Sequence, residues 1–264
     1  MFSRDQATLP FKQSPSPASH FGEDWRSVED AAHGLPVITR VNFQLWHLAV
    51  LLAGMLSILP IVGLLDPLAG NLRGQWPDWL AISAAKTTHW AKADWWLLAA
   101  AAVAIGGLVA RRRFKIRHPQ IATNAAYAWF FILAVASAGV ASSFLKYLIG
   151  RARPIHFAEL GQLHLNPLPF VSETSLSLKS SFASFPSGHA TTIAAICTAI
   201  ALRWPRLGFP AFLLASWLAF ARVVVGAHYP SDVVAGLLLG SSVVVLFGAY
   251  FPARLIGAFI GARA

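Results

Sequence analysis

The chain has 264 residues, of which 56% are hydrophobic and only 12% carry a charged side chain. Soluble domains average about a quarter charged residues, so this composition excludes an ordinary water-soluble protein and favours one embedded in lipid. The ten tryptophans agree, because indole rings favour the membrane–water interface. The single cysteine, Cys197, lies inside an apolar run, which indicates packing rather than thiolate chemistry.

Residues 1–42 are polar and lack the short apolar core of a secretory signal, which predicts a flexible tail. Six apolar segments follow, and a helix needs about 20 apolar residues to cross a bilayer. In chain order the predicted segments are Phe43–Leu65, Trp95–Ala110, Asn124–Ile149, His189–Leu202, Leu207–Ala227 and Val233–Phe251. The second segment could begin near Trp90, and the fourth reaches membrane length only when Phe185–Trp204 is counted.

Basic residues predict the orientation, since cytoplasmic loops carry an excess of lysine and arginine. With the amino terminus in the cytoplasm, 13 of the 21 basic residues fall on the inner side, including the run RRRFKIR at 111–117. We interpret that run as a topology signal, so the net charge of +10 predicts no nucleic-acid partner. The predicted fold class is all-α and polytopic: a cytoplasmic tail over 1–42, a six-helix membrane domain over 43–252 with an outer loop at 155–185, and a cytoplasmic tail over 253–264.

Three polar clusters fall on the predicted outer side. They are KYLIGRARP from Lys146 to Pro154, PSGH from Pro186 to His189, and ARVVVGAHYPSD from Ala221 to Asp232. Each has an ordinary explanation, because cationic side chains snorkel to the interface and a serine with an aspartate can cap a helix. Their coincidence at one membrane boundary favours a function, because charges at membrane depth are expensive.

The residue types in these clusters suit an anion-binding site. Lys146 offers a point charge, whereas the planar guanidinium groups of Arg153 and Arg222 match phosphate oxygens. Ser187 adds a hydroxyl, and Gly188 permits close approach of the backbone where a helix begins and its free N–H groups attract anions. The proline of RARP is expected to end the third segment and turn the chain outward.

The remaining polar residues have the pattern of catalytic groups. His228 and Asp232 are four residues apart and would share one face of a helix. An aspartate bonded to one ring nitrogen leaves the other as a nucleophile, and His189 would then be free to protonate a leaving oxygen. This explains why a histidine stands at the mouth of an apolar segment.

In order and spacing the three clusters resemble the type-2 phosphatidic acid phosphatases, relatives of the vanadium haloperoxidases. The family pattern is K-x6-RP, then PSGH, then SR-x5-H-x3-D. The matching residues are Lys146, Arg153, Pro154, Pro186, Ser187, Gly188, His189, Arg222, His228 and Asp232. Ala221 stands where the third motif usually has serine, and we expect the missing hydroxyl to reduce activity rather than abolish it.

The resemblance implies a role for each matching residue. His228 would attack the phosphate, His189 would protonate the leaving group, and Asp232 would orient His228. The phosphate-binding residues would be Lys146, Arg153, Ser187, Gly188 and Arg222. The resemblance also implies no metal and no other cofactor, and Asp232 is the only acidic residue in the outer-face motifs.

The predicted function is hydrolysis of lipid phosphates or polyprenyl diphosphates at the periplasmic face of a bacterial inner membrane. Transfer of the phosphoryl group to a lipid hydroxyl shares the same first half-reaction and stays open. A vanadate-bound haloperoxidase is disfavoured because halide oxidation needs no lipid access. A transporter is disfavoured because the strong charges lie at segment ends. The identity of the lipid and the oligomeric state also stay open.

Between Pro154 and Pro186 lie 31 residues, and loops of this length are commonly functional or disordered. The apolar stretches LPF and LSL in this loop fit a surface that lies against the membrane and admits lipid. A loop without a role fits equally well. His156 and His164 are predicted to take no part in the chemistry.

Overall fold

The computed structural model of the protein describes residues 49, 52–115, 118–168 and 180–250. The two predicted cytoplasmic tails, the start of the first predicted segment and the LSL stretch of the outer loop lie outside these residues. In the described ranges the regular structure is helical, apart from an isolated antiparallel bridge between Arg151 and Leu165. The predicted all-α fold class is therefore confirmed.

The main helices of the described ranges are α1 (Leu52–Asn71), α2 (Asp78–Thr87), α3 (Ala93–Arg113), α4 (Pro119–Ile149), α5 (Gly188–Arg203), α6 (Gly208–Val224) and α7 (Pro230–Tyr250). By length and composition, five candidate membrane spans occur in these ranges: α1, α2 with α3, α4, the stretch Pro205–Val224 that contains α6, and α7. The chain is a multi-pass membrane protein. The fourth predicted segment is the 16-residue α5, which is too short to count as a sixth span.

Two polar regions near the predicted outer side belong to helices that hydropathy did not reveal. Helix α1 continues six residues beyond the predicted end at Leu65, through a π-helical turn at Ile61–Leu65. It thereby includes Asp66, whose charge ends the apolar segment in the sequence although its side chain is fully buried. Ahead of α3, the chain forms α2 and a 3₁₀ turn at Thr88–Ala91.

Helix α5 lies among α4, α6 and α7 and forms the centre of the bundle. Eight of its 16 residues are buried. It packs closely on α7, because a methyl group at Gly240 would lie 2.1 Å from the carbonyl oxygen of Thr191. Small residues allow such close approach of two helix backbones. The start of α5, with the PSGH motif, is thereby held against the start of α7.

Glycine residues end two of the helices. Helix α4 ends at Ile149, as predicted for the third segment, but the residue that ends it is Gly150 rather than the proline of RARP, because Gly150 adopts the left-handed conformation (φ 59°) and donates its N–H to Lys146 O. Helix α6 ends at Val224, and Gly226 (φ 69°) reverses the chain. The spacing of His228 and Asp232 would place them on one helical face only if the segment were helical, and it is not, since His228 lies in the turn before α7.

Candidate active site

The polar clusters meet where several helices begin or end. Lys146 lies in the last turn of α4, Ser187 caps the start of α5, and Arg222 lies in the last turn of α6. His228 occupies the turn between α6 and α7, and Asp232 lies in the first turn of α7. An antiparallel helix bundle places these termini on one side, so residues up to 86 positions apart in sequence form a single cluster.

His228 lies beside Asp232, with its Nδ1 atom 3.6 Å from the Oδ2 atom of the carboxylate. This distance permits an ion pair but is longer than a hydrogen bond. The His228 side chain is only 3% exposed, and burial lowers its pKa from 6.5 to about 4, which the Asp232 carboxylate offsets only in part. The imidazole is therefore neutral at physiological pH, the form that carries a nucleophilic lone pair.

Three other donors hold the Asp232 carboxylate in place. Arg151 Nη1 donates to Oδ1 at 2.7 Å, while Ser184 Oγ and the Tyr229 backbone N–H donate to Oδ2 at 2.5 and 2.9 Å. Asp232 is fully buried. Its orientation toward His228 is thus determined by contacts from three separate parts of the chain.

Arg151, which the sequence analysis did not select, is the most extensively bonded of these donors. Its Nη1 atom also donates to Ser231 Oγ at 2.6 Å, and its Nη2 atom donates to Asp66 Oδ2 at 2.8 Å. Nε and Nη2 donate to Gln162 O at 2.9 and 2.6 Å. Burial alone would lower the pKa of Arg151, but Asp232 and Asp66 raise it above its ordinary value. The signal available in the sequence was a second arginine inside the GRARP stretch.

Cations from three elements lie close enough for their charges to interact. The charges of Arg153 and Arg222 act on Lys146, and the charge of Arg153 acts on Arg222. Lys146 Nζ donates to Ala183 O at 2.9 Å, and its Cε atom would lie 3.4 Å from a methyl group at Gly188. Like charges in a partly buried site repel one another, so the cluster favours a bound anion.

Arg222 reaches this cluster from α6. Its Nη1 atom donates to Thr88 Oγ1 at 3.0 Å, whereas its Nε atom is buried and has no hydrogen-bond partner among the described residues. An unpaired buried donor on a cation is costly. An anion at the cluster would satisfy it.

Ser187 caps the start of α5. Its Oγ atom accepts from the Ala190 N–H at 3.5 Å, and its backbone N–H donates to Asp232 O at 2.9 Å. The next N–H groups, at Gly188 and His189, belong to the first turn of a helix and lack partners within it. The start of α5 therefore offers backbone donors to an anion bound at the cationic cluster.

A cavity of about 280 Å³ opens beside His189. It is lined by Lys92 and Asp94 near the start of α3 and by Gly188, His189 and Thr192 of α5. His189 therefore lines an open space, whereas His228 is buried.

The other residues singled out in the sequence lie in ordinary packing. The rings of His156 and His164 contact Phe182, with centroid distances of 6.4 and 5.9 Å. Ala221 is fully buried in an apolar cluster with Ala84 and Val224. The methyl group that replaces the motif serine thus packs against apolar side chains of α2 and α6.

Known proteins resemble this chain in the same region. Residues 127–256 match the family model described as the PAP2 superfamily. A lipid A 1-phosphatase of Rhizobium johnstonii is 40% identical over 134 residues, which cover 51% of this chain and 50% of the relative. The undecaprenyl-diphosphatase BcrC of Bacillus subtilis is 36% identical over 87 residues, which cover 32% of this chain and 45% of the relative. The chain thus spans about half the length of these curated relatives.

A solved structure has a similar fold. It is the first transmembrane PAP2 type phosphatidylglycerolphosphate phosphatase from Bacillus subtilis, with a TM-score of 0.51 and 20% sequence identity. The match covers 76% of this chain and 95% of the solved chain.

Proposed function

We propose, on the premise that residues 127–256 belong to the PAP2 superfamily, that this protein is a membrane phosphatase that hydrolyses phosphate or diphosphate groups on lipids. The observation that carries the proposal is the neutral, buried His228, 3.6 Å from Asp232, beside the cations Lys146, Arg153 and Arg222. The names of the relatives, a lipid A 1-phosphatase and an undecaprenyl-diphosphatase, support a lipid substrate.

In the first half-reaction His228 is the nucleophile. Its Nε2 atom attacks the phosphorus, the N–P bond forms, and the bond from phosphorus to the lipid oxygen breaks. Asp232, whose Oδ2 atom lies 3.6 Å from Nδ1, stabilises the imidazolium charge as an ion pair. His189 first takes a second ring proton, from the bound phosphate or from solvent, and gives that proton to the departing lipid oxygen. The cations and the N–H groups at the start of α5 stabilise the charge on the phosphoryl oxygens.

In the second half-reaction water replaces the lipid. His189, now deprotonated, takes a proton from water as the oxygen attacks the phosphohistidine. The N–P bond breaks, inorganic phosphate leaves, and His228 returns to its neutral form. Entry of a lipid hydroxyl in place of water would give phosphotransfer by the same steps.

The cavity beside His189 supports this division of roles. A general acid must reach the leaving oxygen, which carries the bulk of the lipid, and His189 lines the open space. His228 is enclosed and faces a carboxylate, which suits a group that holds a charge during the reaction.

We also propose that the reaction needs no metal ion. Lys146, Arg153 and Arg222 supply the positive charge that a divalent cation would otherwise provide. The carboxylates of Asp66 and Asp232 accept hydrogen bonds from Arg151 at 2.8 and 2.7 Å, which occupies them in ion pairs.

The proposed location is a bacterial inner membrane, with the site at its periplasmic face. Helix α3 begins beside the site cavity, is 21 residues long and ends at Arg111, Arg112 and Arg113. This corresponds to roughly 30 Å at 1.5 Å per residue, the thickness of the hydrocarbon core. The basic turn thus lies a membrane thickness from the site, and the positive-inside rule assigns it to the cytoplasm. An alkaline phosphatase fusion within 155–185 should be active and a carboxyl-terminal fusion inactive, and the reverse would overturn the orientation.

A phosphate-release panel in detergent micelles tests the proposed function. Lipid A comes first because of the 40% identical relative, followed by undecaprenyl diphosphate, phosphatidate and phosphatidylglycerol phosphate. His228→Ala is the matched control for contaminating phosphatases. Release from at least one lipid that depends on His228 is expected. If lipid hydroxyl acceptors become phosphorylated and no free phosphate is released, the protein is a transferase. If no lipid phosphate is turned over, the result contradicts the proposal.

A further inference from the structure

Two carboxylates and one guanidinium form a continuous buried chain beneath the candidate site. Asp66 and Asp232 are 0% exposed and Arg151 is 3% exposed. Arg151 joins them with its two terminal nitrogens, at 2.8 Å to Asp66 Oδ2 and 2.7 Å to Asp232 Oδ1. These ion pairs link α1, the segment after α4, and α7.

Arg151 has no donor left for a substrate. A guanidinium has five N–H groups, and Arg151 makes five hydrogen bonds, to Asp66, Gln162 (two), Ser231 and Asp232. The ring of Tyr229 also covers its face, with Cζ 4.4 Å from the ring centroid. Arg222 differs, because its Nε atom has no partner in the part of the chain that the structure describes, whereas all the N–H groups of Arg151 are bonded within the protein.

The two carboxylate oxygens of Asp232 have different partners, and Oδ2 is the one that faces His228. Arg151 occupies Oδ1, and the 3.6 Å approach of His228 Nδ1 is to Oδ2. Without the guanidinium, the carboxylate could rotate and lose this arrangement. Arg151 therefore holds the Oδ1 side of the carboxylate, while Ser184 and the Tyr229 N–H hold the Oδ2 side that faces the imidazole.

Asp66 completes the charge balance. Asp232 and Arg151 alone would have a net charge of zero, and the guanidinium would offset part of the electric field of the carboxylate at His228. With Asp66 the three groups carry a net charge of −1. This negative charge stabilises the positive charge that His228 acquires when its nitrogen is phosphorylated. Asp66 also accepts from the backbone N–H of Ser231 at 3.0 Å and so holds the residue next to Asp232.

We infer that Arg151 is a positioning residue for the proposed reaction, which fixes Asp232 toward His228, and that Asp66 on α1 keeps the negative charge of Asp232 available to the imidazole. The inference rests on the proposed function, because Arg151 and Asp66 are assigned to orient and stabilise His228, the proposed nucleophile. Neither residue touches the substrate, and both act through Asp232.

The kinetic test compares two variants, Arg151→Lys and Asp66→Asn, with the wild type. Arg153→Lys is the matched control, because Arg153 is proposed to bind the phosphate directly. Supporting residues one contact away from a reactive group typically contribute 10–100-fold. We expect kcat to fall on the order of 10–100-fold in the first two variants, with KM within about twofold of wild type. Arg153→Lys should raise KM instead. A rise in KM for Arg151→Lys equal to that of Arg153→Lys, or an unchanged kcat in both test variants, would overturn the inference.

A second readout does not need turnover and separates the inference from the proposed function. Selective ¹⁵N-histidine NMR in micelles reports the tautomer and titration midpoint of His228, assigned by difference from His228→Asn. The wild type should carry its proton on Nδ1, facing Asp232, and both test variants should shift the midpoint of this signal. Unchanged His228 signals would sink the inference even if the wild type hydrolyses lipid phosphates. If the wild type hydrolyses none, the proposed function fails while the NMR comparison still decides the inference. If Arg151→Lys does not fold, Asp66→Asn alone gives both readouts.

Discussion

Arg222 is tied to Thr88, with its Nη1 atom 3.0 Å from the threonine hydroxyl. The bond joins a proposed phosphate ligand on α6 to the 3₁₀ turn that precedes α3 and the cavity. The Nε atom is buried without a partner among the described residues, and the bond from Nη1 to Thr88 therefore helps to orient this guanidinium.

Thr88→Val should therefore weaken substrate binding. A hydrogen bond to a charged group contributes about 1.5–3 kcal/mol, and part of this is regained by water at a partly buried site. We expect KM to rise roughly 3–10-fold with a small change in kcat. The control is Thr87→Val, which removes the neighbouring hydroxyl bonded to Trp217 rather than to Arg222. Equal effects of both variants would show that packing of the turn, not the bond to Arg222, determines KM.

The two histidines should respond differently to the leaving group. His189→Ala should slow hydrolysis of a lipid monophosphate by about 10²–10⁴-fold, the usual contribution of a general acid. First-turnover release of p-nitrophenolate, which needs little protonation, should slow much less. His228→Ala should be inactive toward both substrates. If His228→Ala keeps the p-nitrophenolate burst while His189→Ala loses it, the roles are reversed.

Burial of His228 predicts how stability depends on pH. Its pKa falls from 6.5 to about 4 in the folded protein, so the unfolded chain binds more protons between these values. The contribution to stability is complete above pH 6.5 and is lost as the pH falls toward 4, by about 3 kcal/mol for a shift of this size. Thermal unfolding in detergent at pH 7 and pH 4.5 measures this. His228→Asn should lose less stability over the same range, and an equal loss would contradict the assignment.

Activity should survive removal of metal ions, because the charge at the phosphate comes from lysine and arginine side chains. Dialysis against EDTA should leave kcat unchanged within about twofold. Vanadate should inhibit by occupying the phosphate position, and Arg222→Ala should weaken that inhibition. Loss of activity in EDTA that magnesium restores would contradict a metal-free site.

The motif residues could be identified from sequence because their spacing is short and their residue types are unusual at a membrane boundary. The resemblance to the type-2 phosphatidic acid phosphatases is confirmed by the match of residues 127–256. Apolar length also located most helices. It failed at Asp66, because a hydropathy pattern treats any charge as a segment end, whether or not the charge is paired.

The support of the site could not be predicted from local patterns. Asp66 bonds to Ser231 across 165 positions and to Arg151 across 85 positions, and neither separation has a periodic signature. The geometry of His228 was also missed, since the i, i+4 spacing suggested a helix whereas Gly226 produces a turn that reaches the same carboxylate. Tertiary packing, rather than helical periodicity, brings these groups together.

The central claim is that His228 carries the phosphoryl group during turnover. Trapping the intermediate tests it most directly, in the His189→Ala variant with p-nitrophenyl phosphate, because removal of the base should slow hydrolysis of the adduct more than its formation. The protein is quenched in base, which preserves phosphohistidine, digested, and mapped by mass spectrometry. The account predicts a phosphoryl group on the peptide that contains His228, and its absence when His228 is also replaced. A phosphoryl group on another residue, or p-nitrophenolate released in the first turnover without any protein adduct, would contradict it.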